Sequence, residues 1–260
     1  MAARMPVVFV SHGAPDVLLH APDTVACWQA LGRELPEPRA ILMVSAHWEA
    51  RVPTLSLSGA PPTIHDFSGF APELYRMRYP APGAPALAER TVSLLAAAGV
   101  AADLHPNRGL DHGAWVPLTA MYPRAHLPVT QLSLTRQDAA AHNRLGQALA
   151  PLRDEAVLII ASGAITHNFA WLDHDAGSGS QPLPRAAAFA DWVGQQIETR
   201  NIQSLIDYRS NPDGTQAHPS AEHFLPLLIA LGASVSDRSK RYRPPFTYGG
   251  LAMDAYVWRQ

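Results

Sequence analysis

The chain has 260 residues, with 47% hydrophobic and 16% charged residues and a net charge of −2. That balance fits one globular domain over residues 1–260, large enough to bury a core without disulfides or metal staples. It excludes a disordered tail protein and a binder that grips phosphates through a basic face, and no run approaches the ~18 apolar residues of a membrane span.

Short apolar runs alternate with longer helical patterns. A strand is expected at Val7–Val10 and a helix at Asp23–Leu35, then strands at Ile41–Ser45 and Thr54–Leu57. Pro61–Pro82, rich in Pro, Gly and aromatics, reads as a long binding loop. A helix at Ala84–Ala98 ends on Gly99, a residue suited to the left-handed cap. Strands follow at Ala101–Leu104 and Val129–Leu134, a helix at Asp138–Leu149, and a strand at Val157–Ala161. The pattern closes with helices at Leu183–Thr199 and Pro219–Leu231, the latter ending on Gly232, and a strand at Leu251–Trp258. Pro226 is expected to kink or split that last helix. Three of the runs are continuously apolar, as suits strands covered on both faces. The expected fold is α/β: a single domain with a central, mostly parallel sheet flanked by helices.

The chain has 12 histidines and 1 cysteine. Cys27 alone makes no intrachain disulfide and no thiolate cluster, so a bound metal would take nitrogen and oxygen ligands. His12, His47 and His167 each follow an apolar run and small residues. If those runs are parallel strands, all three stand just beyond the carboxyl edge, where open α/β sheets bind ligands. His218-Pro219-Ser220-Ala221-Glu222-His223 reads as a helix start offering two imidazoles and one carboxylate. Gly109-Leu110-Asp111-His112-Gly113 reads as a loop, and His112 there suits a proton carrier or substrate ligand. His65, Phe67 and Phe70 on the Pro/Gly loop suit an aromatic pocket. The P-loop, the Rossmann glycine pattern, the nucleophile elbow and the zincin motif are all missing from the sequence.

Seven segments in order resemble the class III extradiol ring-cleavage dioxygenases, most closely the 4,5-DOPA dioxygenase branch. They are Ser11–Pro15, Ser45–Glu49, Ile64–Tyr75, Arg108–Leu118, Ser162–Phe169, His218–Leu227 and Tyr248–Trp258. The resemblance implies a non-haem Fe(II) at the strand edge, with Zn(II) an alternative occupant of the purified protein. It assigns His12, His47 and His223 as metal ligands, with Glu222 and His218 as competitors for the third place. It assigns His167 as the acid/base group, with His112 as a second catalytic histidine, and leaves His65, Phe67 and Phe70 to the substrate. One position departs, since Ala164 stands where a serine is expected. The implied partners are a small aromatic diol and O₂, with no nucleic acid and no membrane. The expected protein is cytoplasmic, monomer or homodimer. The competing readings are a zinc-dependent hydrolase and a non-catalytic metal-binding protein on the same fold.

Overall fold

In the computed structural model, which describes residues 4–260, eight strands form one sheet. They are β1 (Val7–Ser11), β2 (Ala40–Ala50), β3 (Thr54–Ser56), β4 (Asp103–His105), β5 (Val129–Thr135), β6 (Val157–Gly163), β7 (Arg238–Tyr242) and β8 (Ala255–Arg259). Their order is β4-β3-β5-β2-β6-β1-β8-β7. The four central strands, β5-β2-β6-β1, run parallel, and β8 and β7 extend one edge antiparallel. The expected α/β class and mostly parallel sheet are what the chain adopts.

Alternation along the central strands divides two hydrophobic layers. Val7, Phe9, Leu42, Val44 and Ile159 face one side, and Val8, Val10, Ile41, Met43 and Ile160 face the other. Every one is fully buried, which is why these runs are apolar throughout rather than in alternate positions. Helices Pro85–Ala97, Ala139–Leu149, Pro184–Glu198 and Leu225–Ser234 cover the first layer. Helices Pro22–Glu34 and His112–Met121 cover the second.

Four sequence expectations are corrected. The Pro219–Leu231 helix begins only at Leu225, because residues 218–224 form turns. Pro226 therefore sits in its first turn, where its missing N–H costs nothing, and produces no kink. Gly232 is inside that helix and not beyond it. A Cβ there would stand 2.0 Å from Asn143 O, so the glycine lets two helices cross closely. The Asp111–His112 segment is not a loop: it starts the His112–Met121 helix, with the Asp111 side chain accepting from Ala114 N. Strand β7 escapes a hydrophobicity reading because it is the polar, half-exposed sheet edge.

Candidate metal centre

The site forms where β1, β2 and β6 leave the sheet side by side. Val10, Ser162 and Ser45 are level in the register, so the chain exits of all three strands meet. His12 directly follows β1, and its backbone N donates to Gly163 O at 3.0 Å. His47 stands within the long β2 rather than beyond its end. It lies in the stretch after Val44 where pairing with β5 loses register. That irregularity turns its ring toward His12. His223 arrives from the turns before the Leu225–Ser234 helix. Its carbonyl is anchored by Ala164 N at 2.8 Å.

The three imidazoles converge through Nε2. His12 and His47 approach to 3.0 Å, and His47 and His223 to 3.3 Å. Nitrogens bound at about 2.1 Å to one ion, at right to tetrahedral angles, stand about 3.0–3.4 Å apart. The surroundings put the protons on the far side of the rings. Ser162 Oγ donates to Gly113 O at 2.5 Å, so it accepts from His12 Nδ1 at 2.9 Å. His223 Nδ1 donates to Glu222 Oε1 at 3.0 Å. Asp66 Oδ2 faces His47 Nδ1 at 3.6 Å. The Nε2 lone pairs are thus turned on one another, a repulsive arrangement that a shared cation resolves.

Protonation is opposed as well. Burial pushes His12 and His223 well below the ordinary imidazole value, and the neighbouring histidines push the same way. Burial, then His112, bring His47 to about 3. All three are neutral ligands at neutral pH. The donor set fits a divalent ion that accepts imidazole, such as iron or zinc.

The two competitors for the third place have other occupations. His218 is fully buried and donates from Nε2 to Ile165 O at 2.8 Å, away from the cluster. Glu222 meets His223 Nδ1 and the Ser220 hydroxyl, so it orients the histidine and stands behind it.

His167 lies four residues beyond β6, its ring stacked on His223 at 3.4 Å and 7°. Burial lowers its pKa, Glu222 opposes that, and His112 adds to it. His112 packs 3.9 Å from the His47 ring, its Nδ1 3.0 Å from Asp66 Oδ1. Burial alone would raise the Asp66 carboxyl; the contacts with His112 outweigh it and hold it down at about 2. Asp66 is a site residue the motif reading passed over, although it sits between His65 and Phe67.

A cavity of about 330 Å³ opens over the cluster, walled by the four histidines His12, His47, His112 and His223 together with His167, Asp66, Phe67 and Phe70. This is the size range of small-ligand sites. His65 is not on the wall. Its Nε2 lies 3.1 Å from Met77 O and its ring packs against Phe67, Tyr75 and Trp115, so it supports the loop from behind. Ala164 is also off the wall, buried under the His223 carbonyl contact, so the missing hydroxyl does not face the cavity.

The network extends into the sheet. Asp111, fully buried, accepts from the Ser45 hydroxyl at 2.6 Å, from Arg108 at 3.1 Å and from Gln131. Gly113 allows the helix to press on the histidine cluster: a Cβ there would stand 2.4 Å from Ser45 Oγ and 3.0 Å from the His47 ring.

Comparison with known proteins points the same way as this geometry. The family described as "Catalytic LigB subunit of aromatic ring-opening dioxygenase" matches residues 9–257. A protein of Escherichia coli (strain K12) named 4,5-DOPA dioxygenase extradiol is 42% identical, covering 89% of this chain and 86% of its own. The Beta vulgaris protein of that name is 41% identical, covering 87% and 85%. An uncharacterized protein from Escherichia coli K12 has a solved structure that superposes with a TM-score of 0.80 at 34% identity. It covers 98% of this chain and all of that one.

Proposed function

The chain belongs to the LigB family of aromatic ring-opening dioxygenases and is an extradiol ring-cleavage enzyme; from that premise we propose that it is an Fe(II)-dependent dioxygenase opening the ring of a small catechol with O₂, its catalytic domain spanning residues 1–260. Family membership displaces the zinc-hydrolase and non-catalytic readings. The observation that carries the proposal is the convergence of three neutral Nε2 atoms beside an aromatic cavity.

His12, His47 and His223 would hold the ion, which supplies Lewis acidity toward the catechol oxygens and a meeting point for O₂. The chain's own residues do the rest. Phe67 and Phe70 flank the ring and exclude water from that wall. His167, neutral at working pH, takes the proton of a catechol hydroxyl onto its imidazole and returns it as the ring opens. Its stack on His223 fixes it beside the reacting oxygens. His112, its Nδ1 3.0 Å from the Asp66 carboxylate, lines the cavity and orients the diol by accepting from one of its hydroxyls at Nε2. Overall both atoms of O₂ enter the product, a muconic semialdehyde.

Metal analysis tests the assignment. His12→Ala, His47→Ala and His223→Ala each lose stoichiometric iron, whereas His218→Ala keeps it. Stoichiometric iron in any of the first three removes that residue from the ligand set. Reloading with Fe(II) restores catechol cleavage and Zn(II) does not; equal activity with zinc contradicts the iron assignment.

A further inference from the structure

The outer half of the cavity says what hangs from the catechol ring. Beyond the histidines the wall is mainly Pro15, Phe70, Phe169, Leu172 and Leu251, with Ser68 and Asn168 as its uncharged polar residues. The residues described include every arginine and the one lysine of the chain, and none of them reaches this wall. Arg78 turns its guanidinium to Tyr75 O and Met77 O, and Arg108 is tied to Asp111 and to the His47 carbonyl. The Asp66 carboxylate lies at the inner end of the cavity beside His112, so the outer wall carries no formal charge of either sign.

Phe169 stands out on this wall. At 75% exposure it is the most exposed large apolar side chain among the described residues. It is not a loose loop residue. It opens a one-turn helix, Phe169–Trp171, whose cap Asn168 accepts from Ala170 N at 2.8 Å and donates to Gln216 O at 2.6 Å. The preceding His167 N donates to Ala217 O at 2.9 Å. The ring lies edge-on to His167, centroids 5.1 Å apart. The ring stands at the mouth of the cavity, where an apolar group on a bound ligand would remove it from water.

We infer that the catechol taken by this site carries an uncharged, apolar ring substituent, and that Phe169 is the residue that selects it. This rests on the ring-cleavage reading above. An anionic substituent would leave water for a wall without a cation, and an unpaired charge there is costly. An alkyl, aryl or ester group would instead cover Phe169 and Leu172.

The test uses the iron-loaded full chain with three probes: ethylcatechol, dihydrocaffeate and the methyl ester of dihydrocaffeate. Binding is measured under argon by calorimetry and turnover in air by product absorbance. The ester is expected to exceed the free acid by about tenfold in kcat/KM, carried by KM and matched by the anaerobic affinities. Phe169→Ala is expected to narrow that ratio by weakening ester and ethylcatechol, and Phe169→Arg to raise the acid and reverse it. Equal values for acid and ester, or an unchanged ratio in Phe169→Arg, overturn the inference while ring cleavage stands. No ring-opened product from any of the three overturns ring cleavage, and this inference with it.

Discussion

At the scale of single residues, the proposed function separates groups that would hold the ion from groups that would move protons. His167→Ala is expected to retain one metal per chain and lose turnover by about 10²–10⁴-fold, the usual contribution of a positioned acid–base group. Metal content together with kcat checks it, and near-full activity contradicts the assignment. Because burial lowers the His167 pKa, the acidic limb of the pH–rate profile should fall below pH 6.5. A limb above that value would point to a different titrating group. Glu222→Gln keeps the shape but weakens the carboxylate behind His223 Nδ1. Metal affinity should drop by about 10–100-fold, measured by competition with a chelator.

At the scale of elements, the start of the His112–Met121 helix ties the sheet to the metal cluster. Asp111 both caps that helix and accepts from Ser45, Arg108 and Gln131. Asp111→Ala removes the cap, at about 0.5–2 kcal/mol, and also leaves buried donors without a partner, at about 1–3 kcal/mol more. Urea unfolding of the metal-free protein measures this; a loss no greater than a lone cap would show the network to be slack. This is also where the sequence was hardest to read. Asp-His between glycines looks like a loop, since Gly109 and Gly113 are poor helix signals. Gly113 is in fact there because a Cβ would strike Ser45 and His47. Only tertiary contact reveals that. The central strands, by contrast, were legible because burial on both faces leaves an unbroken apolar run. The repeated strand-end context placed His12 and His47 at the sheet edge, whereas the motif reading left His218, Glu222 and His223 open and only the family resemblance favoured His223. The proton-fixing partner Ser162 reaches His12 from 150 residues away, which no local pattern encodes, whereas Glu222 was visible beside His223 but its role behind the ring was not. His65 misled for the opposite reason: it sits in an aromatic motif, but Met77 O and the Trp115 ring draw it behind the cavity.

At the scale of the whole molecule, a second buried polar network stands at the opposite end of the sheet from the histidine cluster. Beyond the amino ends of β1 and β6, Arg153 is fully buried, donating to Met5 O at 2.7 Å, to Ala233 O at 2.9 Å and to the Asp237 carboxylate. Arg153→Met leaves Asp237 buried without its cation, and should cost about 3–5 kcal/mol. Adding Asp237→Leu should recover much of that loss, and no recovery would argue that the guanidinium acts through the carbonyls alone. Acid acts from the other end. His218 and His47 are held at about 3 in the folded chain, and His12 and His223 well below the ordinary 6.5, in each case first by burial. Between those values the unfolded chain binds protons that the folded one refuses. Stability of the metal-free protein is therefore full above pH 6.5 and falls as pH drops toward 3. Each such histidine contributes at most about 1.4 kcal/mol per pH unit. Melting temperatures across that range check the sign, and a flat profile would contradict the burial of neutral imidazoles. Among the described residues no helix is long and apolar enough to cross a membrane.

The central claim is that the three-histidine site directs O₂ into a catechol ring, and isotopically labelled dioxygen tests it most directly. Iron-loaded protein supplied with ethylcatechol and labelled O₂ should yield a ring-opened semialdehyde carrying both labels, formed only when iron, O₂ and catechol are all present. A product that forms under argon, or that carries no label from O₂, would contradict ring cleavage by dioxygen at this site.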